Sequence, residues 1–262
     1  MSDDVAQTLS TEGFLLKRSV IDRDALCTWS EMVNDLLHRA HGNDEALRPF
    51  VVYEREIIAQ QPHRSELDPE DVGNALYLVD DLLATDPLWW VLFESPGYRD
   101  FVATLVGHEP RFASSQCVVK EALVGSRVAW HRDYPNSVSD YGQTPGVRLL
   151  LSMDHMTADN GATMVLPGSH VPGHPSWNYH PSHAAELFAN EIRTLEARPG
   201  DVIALHPSIV HGGGINRSSG HRRVVTAHWL PADGHAIDKA NFTGFGRTLE
   251  TRHRISIRRA HP

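Results

Sequence analysis

The sequence predicts a mainly β fold, a single barrel or sandwich of antiparallel strands with helices in its N-terminal part. The length of 262 residues, with 41% hydrophobic and 22% charged residues, is ordinary for one such domain. Alternating apolar runs separated by turn residues fill the second half of the chain, and a helical pattern precedes them. We therefore expect one domain over residues 1–262, with a helix and strand part at 1–110, a core of strands at 111–232 and a C-terminal extension at 233–262.

The N-terminal elements are predicted mainly as helices. Residues 1–10 are expected to be frayed, and residues 14–20 to form a short strand. Residues 24–40 carry apolar side chains at three- and four-residue steps, which predicts an amphipathic helix packed outside a sheet. The stretch 51–81 is ambiguous: its start favours a strand, and residues 69–83 have helical character. Two further helices are predicted at 86–93 and 96–106, the second ended by Gly107.

The core is predicted to be built of strands. The predicted strands cover residues 112–120, 146–156, 163–166 and 222–229, and a short helix is expected at 184–190. The turn Pro199-Gly200-Asp201 leads into an alternating apolar strand that we expect to carry His211 at its far end. We predict that this strand and 222–229 form an antiparallel pair, which would let Arg222 project into the same cavity as His211.

A candidate metal site is formed by His131 and Asp133, which lie at i and i+2 and share a face of an extended segment. With His211 as a third ligand, two imidazoles and one carboxylate match the arrangement of non-haem Fe(II) oxygenases. The same donors can also bind Zn²⁺. Arg222 offers a planar fork for a carboxylate ligand, 11 residues beyond His211.

The chain resembles the phytanoyl-CoA dioxygenase family of Fe(II)- and 2-oxoglutarate-dependent oxygenases. The resemblance rests on the residues named above, on the opening Glu12-Gly13-Phe14, and on the segment Asn160-Gly161-Ala162-Thr163-Met164-Val165-Leu166-Pro167-Gly168-Ser169-His170. The resemblance runs from about residue 9 to 230. It implies a double-stranded β-helix, the jelly-roll or cupin-like barrel. It also implies that His131, Asp133 and His211 hold Fe(II), that Arg222 binds the distal carboxylate of 2-oxoglutarate, and that O2 is the second co-substrate, with ascorbate as an optional reductant. The chain departs from some members at Gly213, where a serine often adds a hydrogen bond to 2-oxoglutarate.

Further site residues follow from the same resemblance and from position. Lys120 resembles a family position that helps hold 2-oxoglutarate, and Thr226 is a second candidate for this role. Four residues are candidate substrate contacts, and their cation, amide and aromatic groups suit a small polar molecule such as an amino acid or a natural-product intermediate: Gln116, Tyr134, Arg148 and Trp177. The carboxylate of Asp133 favours hydroxylation over halogenation, with desaturation, epoxidation and cyclisation left open.

Composition limits the partners. The 24 basic and 33 acidic residues give a net charge of −9, which argues against a nucleic-acid binder. The sequence has no apolar run long enough for a membrane helix, no secretory signal and only two cysteines, so we expect a cytoplasmic monomer or homodimer with a small-molecule substrate. The alternatives are a non-catalytic sensor that binds metal or 2-oxoglutarate, and a zinc-dependent hydrolase. Arg222 argues against both, since neither needs a carboxylate clamp.

Overall fold

The computed structural model describes residues 2–107, 109–134, 146–234 and 242–249, which form two antiparallel sheets with helices outside the larger one. The strands are β1 Phe14–Lys17, β2 Val51–Tyr53, β3 Leu76–Asp80, β4 Arg111–Lys120, β5 Val128–His131, β6 Val147–Ser152, β7 Thr163–Val165, β8 Arg193–Leu195, β9 Val202–Leu205, β10 His211–Gly213 and β11 Arg222–Leu230. The large sheet has the order β1-β9-β6-β11-β4-β3-β2, and the small sheet has the order β5-β10-β7-β8. This arrangement confirms the predicted jelly-roll fold.

Helices lie mainly in the first 110 residues. The α-helices are α1 Ser2–Glu12, α2 Arg23–His41, α3 Glu54–Gln60, α4 Leu82–Thr85, α5 Trp89–Phe93, α6 Pro96–Val106 and α7 Pro181–Leu187, and short 3₁₀ helices cover Arg48–Phe50, Pro62–Arg64, Pro175–Asn178 and Ala189–Glu191. The predicted helix at 24–40 is confirmed as α2. Its first turn is capped by Asp22, whose carboxylate accepts from the backbone N–H of Ala25 at 2.8 Å. None of the helices in the described part of the chain has the length and apolarity that crossing a membrane would require.

A cluster of buried aromatic rings joins the helices to the large sheet. Trp29 of α2 contacts Trp89 and Phe93 of α5 edge to face, with ring centroids 6.2 and 5.5 Å apart. Trp229 of β11 packs against Phe93, and its indole N–H donates to the hydroxyl of Tyr98 at 3.1 Å. The helices cover this face of the large sheet, and the cavity that holds the candidate site lies on its opposite face.

The prediction that the strand after the turn at 199–201 carries His211 at its far end is wrong. Strand β9 ends at Leu205, and His211 begins a new strand, β10, in the other sheet. The segment between them contains Pro207, which has no N–H for a ladder and favours the change of direction. The predicted antiparallel pair is also wrong, because β6 lies between β9 and β11.

Three local predictions need correction. Residues 2–12 form a helix instead of a frayed end, and Leu9 near its C-terminus is buried in the main core. Residues 69–83 have a helical pattern, but Leu76–Asp80 within this range form strand β3. This strand pairs with β2 on one side and β4 on the other, and this long-range pairing overrides the local propensity. The helix predicted at 184–190 lies at Pro181–Leu187, with the proline in its first turn. Most of the extension 233–262 lies outside the described residues.

Candidate metal centre and anion-binding cavity

The structure brings His131, Asp133 and His211 together. His131 ends β5, Asp133 follows two residues later, and His211 is the direct register partner of His131 on β10. The two imidazole centroids are 4.1 Å apart, and His131 Nε2 lies 3.7 Å from Asp133 Oδ1. One candidate ligand atom from each residue lies within 4.8 Å of the others, so the three can bind one ion.

Each imidazole is oriented by the backbone carbonyl two residues before it in the chain. Nδ1 of His131 lies 2.8 Å from the carbonyl oxygen of Ala129, and Nδ1 of His211 lies 3.1 Å from that of Ile209. A carbonyl can only accept, so each Nδ1 donates, and Nε2 is the nitrogen of each ring that remains to face a metal. Burial lowers the pKa of His211 to about 4, with a smaller contribution from neighbouring His131. His211 is therefore neutral at neutral pH, as metal ligation requires.

Asp133 is held as a carboxylate by a cation inside the cavity. Nε of Arg148 lies 2.6 Å from Asp133 Oδ2. Burial alone would raise the pKa of Asp133, but Arg148 and the two histidines together hold it well below its usual range. This leaves Oδ1, on the side of His131, available as a ligand atom. Two imidazoles and one ionised carboxylate on one side of a cavity fit a divalent iron site with open positions.

The triad lines one part of a cavity of about 410 Å³ between the sheets. Its lining, among the described residues, holds three guanidinium groups, those of Arg64, Arg148 and Arg222, and a single carboxylate, that of Asp133. A concave site with such a surplus of cations attracts anionic ligands.

Arg222 is a buried cation with donors to spare. It is 3% exposed, and its Nε has no hydrogen-bond partner among the described residues. Burial lowers the pKa of Arg222 to about 10, so the group is still charged at neutral pH. The hydroxyl of Thr226, two residues after Val224 on the same strand face, is also buried without a partner in the described part of the chain. Unsatisfied buried donors of this kind fit the carboxylate of a bound ligand.

The structure separates the remaining predicted site residues into two groups. Gln116 and Arg148, two of the four predicted substrate contacts, line the cavity. Tyr134 instead packs against Ala113 and Leu230 and is not among the lining residues.

Trp177 and Lys120 also lie outside the lining. The indole ring of Trp177 lies beneath the guanidinium of Arg132, 4.3 Å from the ring centroid, and its N–H donates to the carbonyl of Val171. The ammonium of Lys120 is buried and donates to the carbonyl oxygens of Ser126 and Gly214. These contacts give Lys120 a structural task, joining the end of β4 to the loops beside β5 and β10.

Sequence reasoning missed part of the cavity wall. Gln61, Arg64, Tyr77 and Leu78 line the cavity from the stretch whose secondary structure was ambiguous. No local sequence motif marks these residues, because they come together only in the folded chain. Arg64, for example, lies in a 3₁₀ helix and contacts Tyr77 of β3. The neighbours His63 and Ser65 are polar as well, so the charge of Arg64 alone does not mark a buried position.

Comparison with known proteins matches most of the chain to one family. The family model described as Phytanoyl-CoA dioxygenase (PhyH) matches residues 9–224, a range that contains the three candidate ligands and Arg222. The human peroxisomal phytanoyl-CoA dioxygenase is 32% identical over 97 residues, covering 33% of this chain and 29% of that protein. A probable phytanoyl-CoA dioxygenase of Caenorhabditis elegans is 27% identical over 187 residues, covering 63% of this chain and 57% of that protein. Both matches span less than two thirds of the relative's own length.

The fold also matches that of solved structures. The crystal structure of EctD from S. alaskensis with 2-oxoglutarate and 5-hydroxyectoine aligns with a TM-score of 0.70 at 20% sequence identity. The alignment covers 88% of this chain and 77% of that chain. At this level of identity the likeness establishes the shared architecture.

Proposed function

Because the chain belongs to the phytanoyl-CoA dioxygenase family, we propose that it is a non-haem Fe(II)- and 2-oxoglutarate-dependent oxygenase that hydroxylates a small polar metabolite. One observation carries the proposal: a single cavity holds two oriented imidazoles and an ionised carboxylate, together with a buried arginine whose Nε is unpaired among the described residues. The metal ligands and the carboxylate clamp are what this co-substrate requires.

Each residue has a task that follows from its environment. His131, Asp133 and His211 would hold Fe(II) through Nε2, Oδ1 and Nε2. The ion, with 2-oxoglutarate and O2, supplies the oxidising chemistry, which releases succinate and CO2 and places a hydroxyl group on a C–H bond of the substrate. Arg222 binds the distal carboxylate of 2-oxoglutarate, and the hydroxyl of Thr226 is placed to add a hydrogen bond.

Other lining residues protect and orient this site. Val118, Leu150 and Val224 present apolar side chains to the cavity from three neighbouring strands and would help to exclude water from it. Arg148 forms an ion pair with Oδ2 of Asp133. This ion pair orients the carboxylate so that Oδ1 is available to a metal.

The substrate class is proposed from the lining. Gln116 offers an amide and Arg148 a cation near the metal ligands, and both suit a small polar compound such as an amino acid or a natural-product intermediate. The structural neighbour EctD, crystallised with 5-hydroxyectoine, is consistent with a small ligand in this fold. The presence of Asp133 favours hydroxylation, since the carboxylate occupies the position that a halide would need.

The test is succinate formation from 2-oxoglutarate with Fe(II), ascorbate and O2, in the presence of a panel of amino acids and small carboxylic acids. We expect at least one panel member to stimulate succinate release by the wild type and not by Arg222→Met. Arg223→Met is the matched control, because Arg223 is the next residue but pairs with Asp154, 2.7 Å away, and is absent from the cavity lining. Stimulation only by long acyl thioesters would refute the substrate class, and equal turnover by Arg222→Met would refute the assigned clamp.

A further inference from the structure

Arg64 and Tyr77 form a buried pair in the cavity wall that the proposed mechanism does not use. Arg64 belongs to the 3₁₀ helix Pro62–Arg64 and is 6% exposed. Its Nε donates to the carbonyl of Arg127 at 2.9 Å, and its Nη2 donates to the hydroxyl oxygen of Tyr77 at 2.5 Å. Both side chains line the cavity that holds Arg222 and the metal ligands.

The direction of this hydrogen bond determines what Tyr77 can do. A guanidinium has no acceptor, so the Tyr77 oxygen must accept, and its own proton is directed elsewhere. No acceptor for that proton occurs among the described residues, and the side chain borders the cavity. Burial raises the pKa of Tyr77, so the hydroxyl keeps its proton at neutral pH. Tyr77 therefore presents a neutral O–H donor that a ligand can satisfy.

Arg222, the proposed carboxylate clamp, lies in the same cavity as this donor. Tyr77 and Arg222 line the same cavity and lie close enough that each affects the other's pKa. Two other donors expected for this carboxylate are not available. Gly213, where a serine often stands in the family, has no side chain, and Lys120 is engaged by two carbonyl groups.

We propose that Tyr77 donates its hydroxyl hydrogen to the distal carboxylate of 2-oxoglutarate beside Arg222, and that Arg64 is the positioning residue that holds Tyr77 in place. The inference rests on the proposed function, since it assumes that the carboxylate is that of 2-oxoglutarate. It adds a neutral donor to the site of the distal carboxylate, and this donor favours a 2-oxo dicarboxylate over a 2-oxo monocarboxylate.

The experiment measures binding and needs no turnover. Anaerobic Fe(II)-loaded protein is titrated calorimetrically with 2-oxoglutarate and, separately, with 2-oxovalerate, which has the same metal-binding head and no distal carboxylate. A hydrogen bond to a charged group predicts that Tyr77→Phe raises the Kd for 2-oxoglutarate about tenfold or more and leaves that for 2-oxovalerate unchanged. Tyr53→Phe is the control, because Tyr53 also loses a buried hydroxyl, one that donates to Ala40 at 3.4 Å outside the cavity.

A double-mutant cycle tests the positioning role. Arg64→Met should raise the Kd for 2-oxoglutarate in the wild-type background and have a smaller effect in the Tyr77→Phe background, since the two residues act through one hydrogen bond. If the wild type binds 2-oxoglutarate and Tyr77→Phe binds it equally well, or if both ligands weaken alike, the inference is overturned and the proposed function stands. If the wild type itself does not bind 2-oxoglutarate, the proposed function fails first.

Discussion

Replacing Arg222 by methionine should make the metal-free protein more stable while removing its response to 2-oxoglutarate. Burial lowers the pKa of Arg222 from 12.5 to about 10. The folded state therefore disfavours the charged form, and this penalty is fully present below pH 10 and disappears as the pH rises through 10 to 12.5. One pKa unit corresponds to about 1.4 kcal/mol, so the penalty at neutral pH is about 3 kcal/mol.

Methionine keeps an unbranched apolar side chain and removes the charge. We expect the free energy of unfolding of Arg222→Met to rise by about 2 to 3 kcal/mol, which corresponds to roughly 5 to 10 °C in Tm for a domain of this size. The wild type should gain about 2.7 kcal/mol from 2-oxoglutarate at 100 times its Kd in the presence of Fe(II), whereas the variant should gain almost nothing.

Thermal unfolding followed by circular dichroism, with and without Fe(II) and 2-oxoglutarate under anaerobic conditions, measures both effects. Arg132→Met is the control, because Arg132 is also buried but donates to the carbonyl of Ser208 at 3.0 Å and to the hydroxyl of Ser176 at 2.9 Å. Its loss should destabilise the protein. The reasoning is refuted if Arg222→Met destabilises the protein as Arg132→Met does, or if it retains the ligand-induced rise in Tm.

Three further predictions concern the ligands, a turn and pH. His131→Ala should abolish the rise in Tm that Fe(II) produces in the wild type, and a retained rise would exclude His131 as a ligand. Gly161→Ala should lower the free energy of unfolding in urea by about 1 to 3 kcal/mol, because φ of Gly161 is +78° and a Cβ there would overlap the carbonyl of Gly214. Gly173→Ala is the control and should lower this free energy by less, because φ of Gly173 is +93° but the space around it is open. Burial is the main reason that the pKa values of His206 and His211 are lowered to about 4. The metal-free protein should therefore lose stability as the pH falls from 6.5 to 4, and the loss should be less steep in His206→Gln. An unchanged dependence of stability on pH in this variant would contradict the prediction.

The parts that sequence reasoning predicted are those set by local pattern or by chemistry-specific spacing. The amphipathic period of 24–40 and the proline and glycine around 96–107 mark α2 and α6 directly. The triad was predicted because ligand chemistry restricts residue type, and His131 and His211 then become register partners. Arg222 was predicted from its position 11 residues beyond His211 and from its place on one strand face with Val224 and Thr226.

The parts that were missed depend on pairing over long distances in sequence. β3 carries a helical pattern and becomes a strand only because β2 and β4 lie on either side of it. Near Pro207 the chain passes from the large sheet to the small sheet, which separates β9 from His211. The alternation of apolar and polar residues does not predict this change of sheet. Lys120 has the chemistry of a ligand-binding residue, but the carbonyls of Ser126 and Gly214 take its donors, a fact that only the folded loops decide.

The most direct test of the central claim is the visible absorption of anaerobic protein to which Fe(II) and then 2-oxoglutarate are added. Chelation of Fe(II) by the 2-oxo acid at the triad predicts a weak metal-to-ligand charge-transfer band in the wild type, absent when Zn²⁺ replaces Fe(II) and lost in His131→Ala. The absence of any band in Fe(II)-loaded wild type at saturating 2-oxoglutarate would contradict the oxygenase assignment and favour a metal-binding sensor or a zinc hydrolase on the same fold.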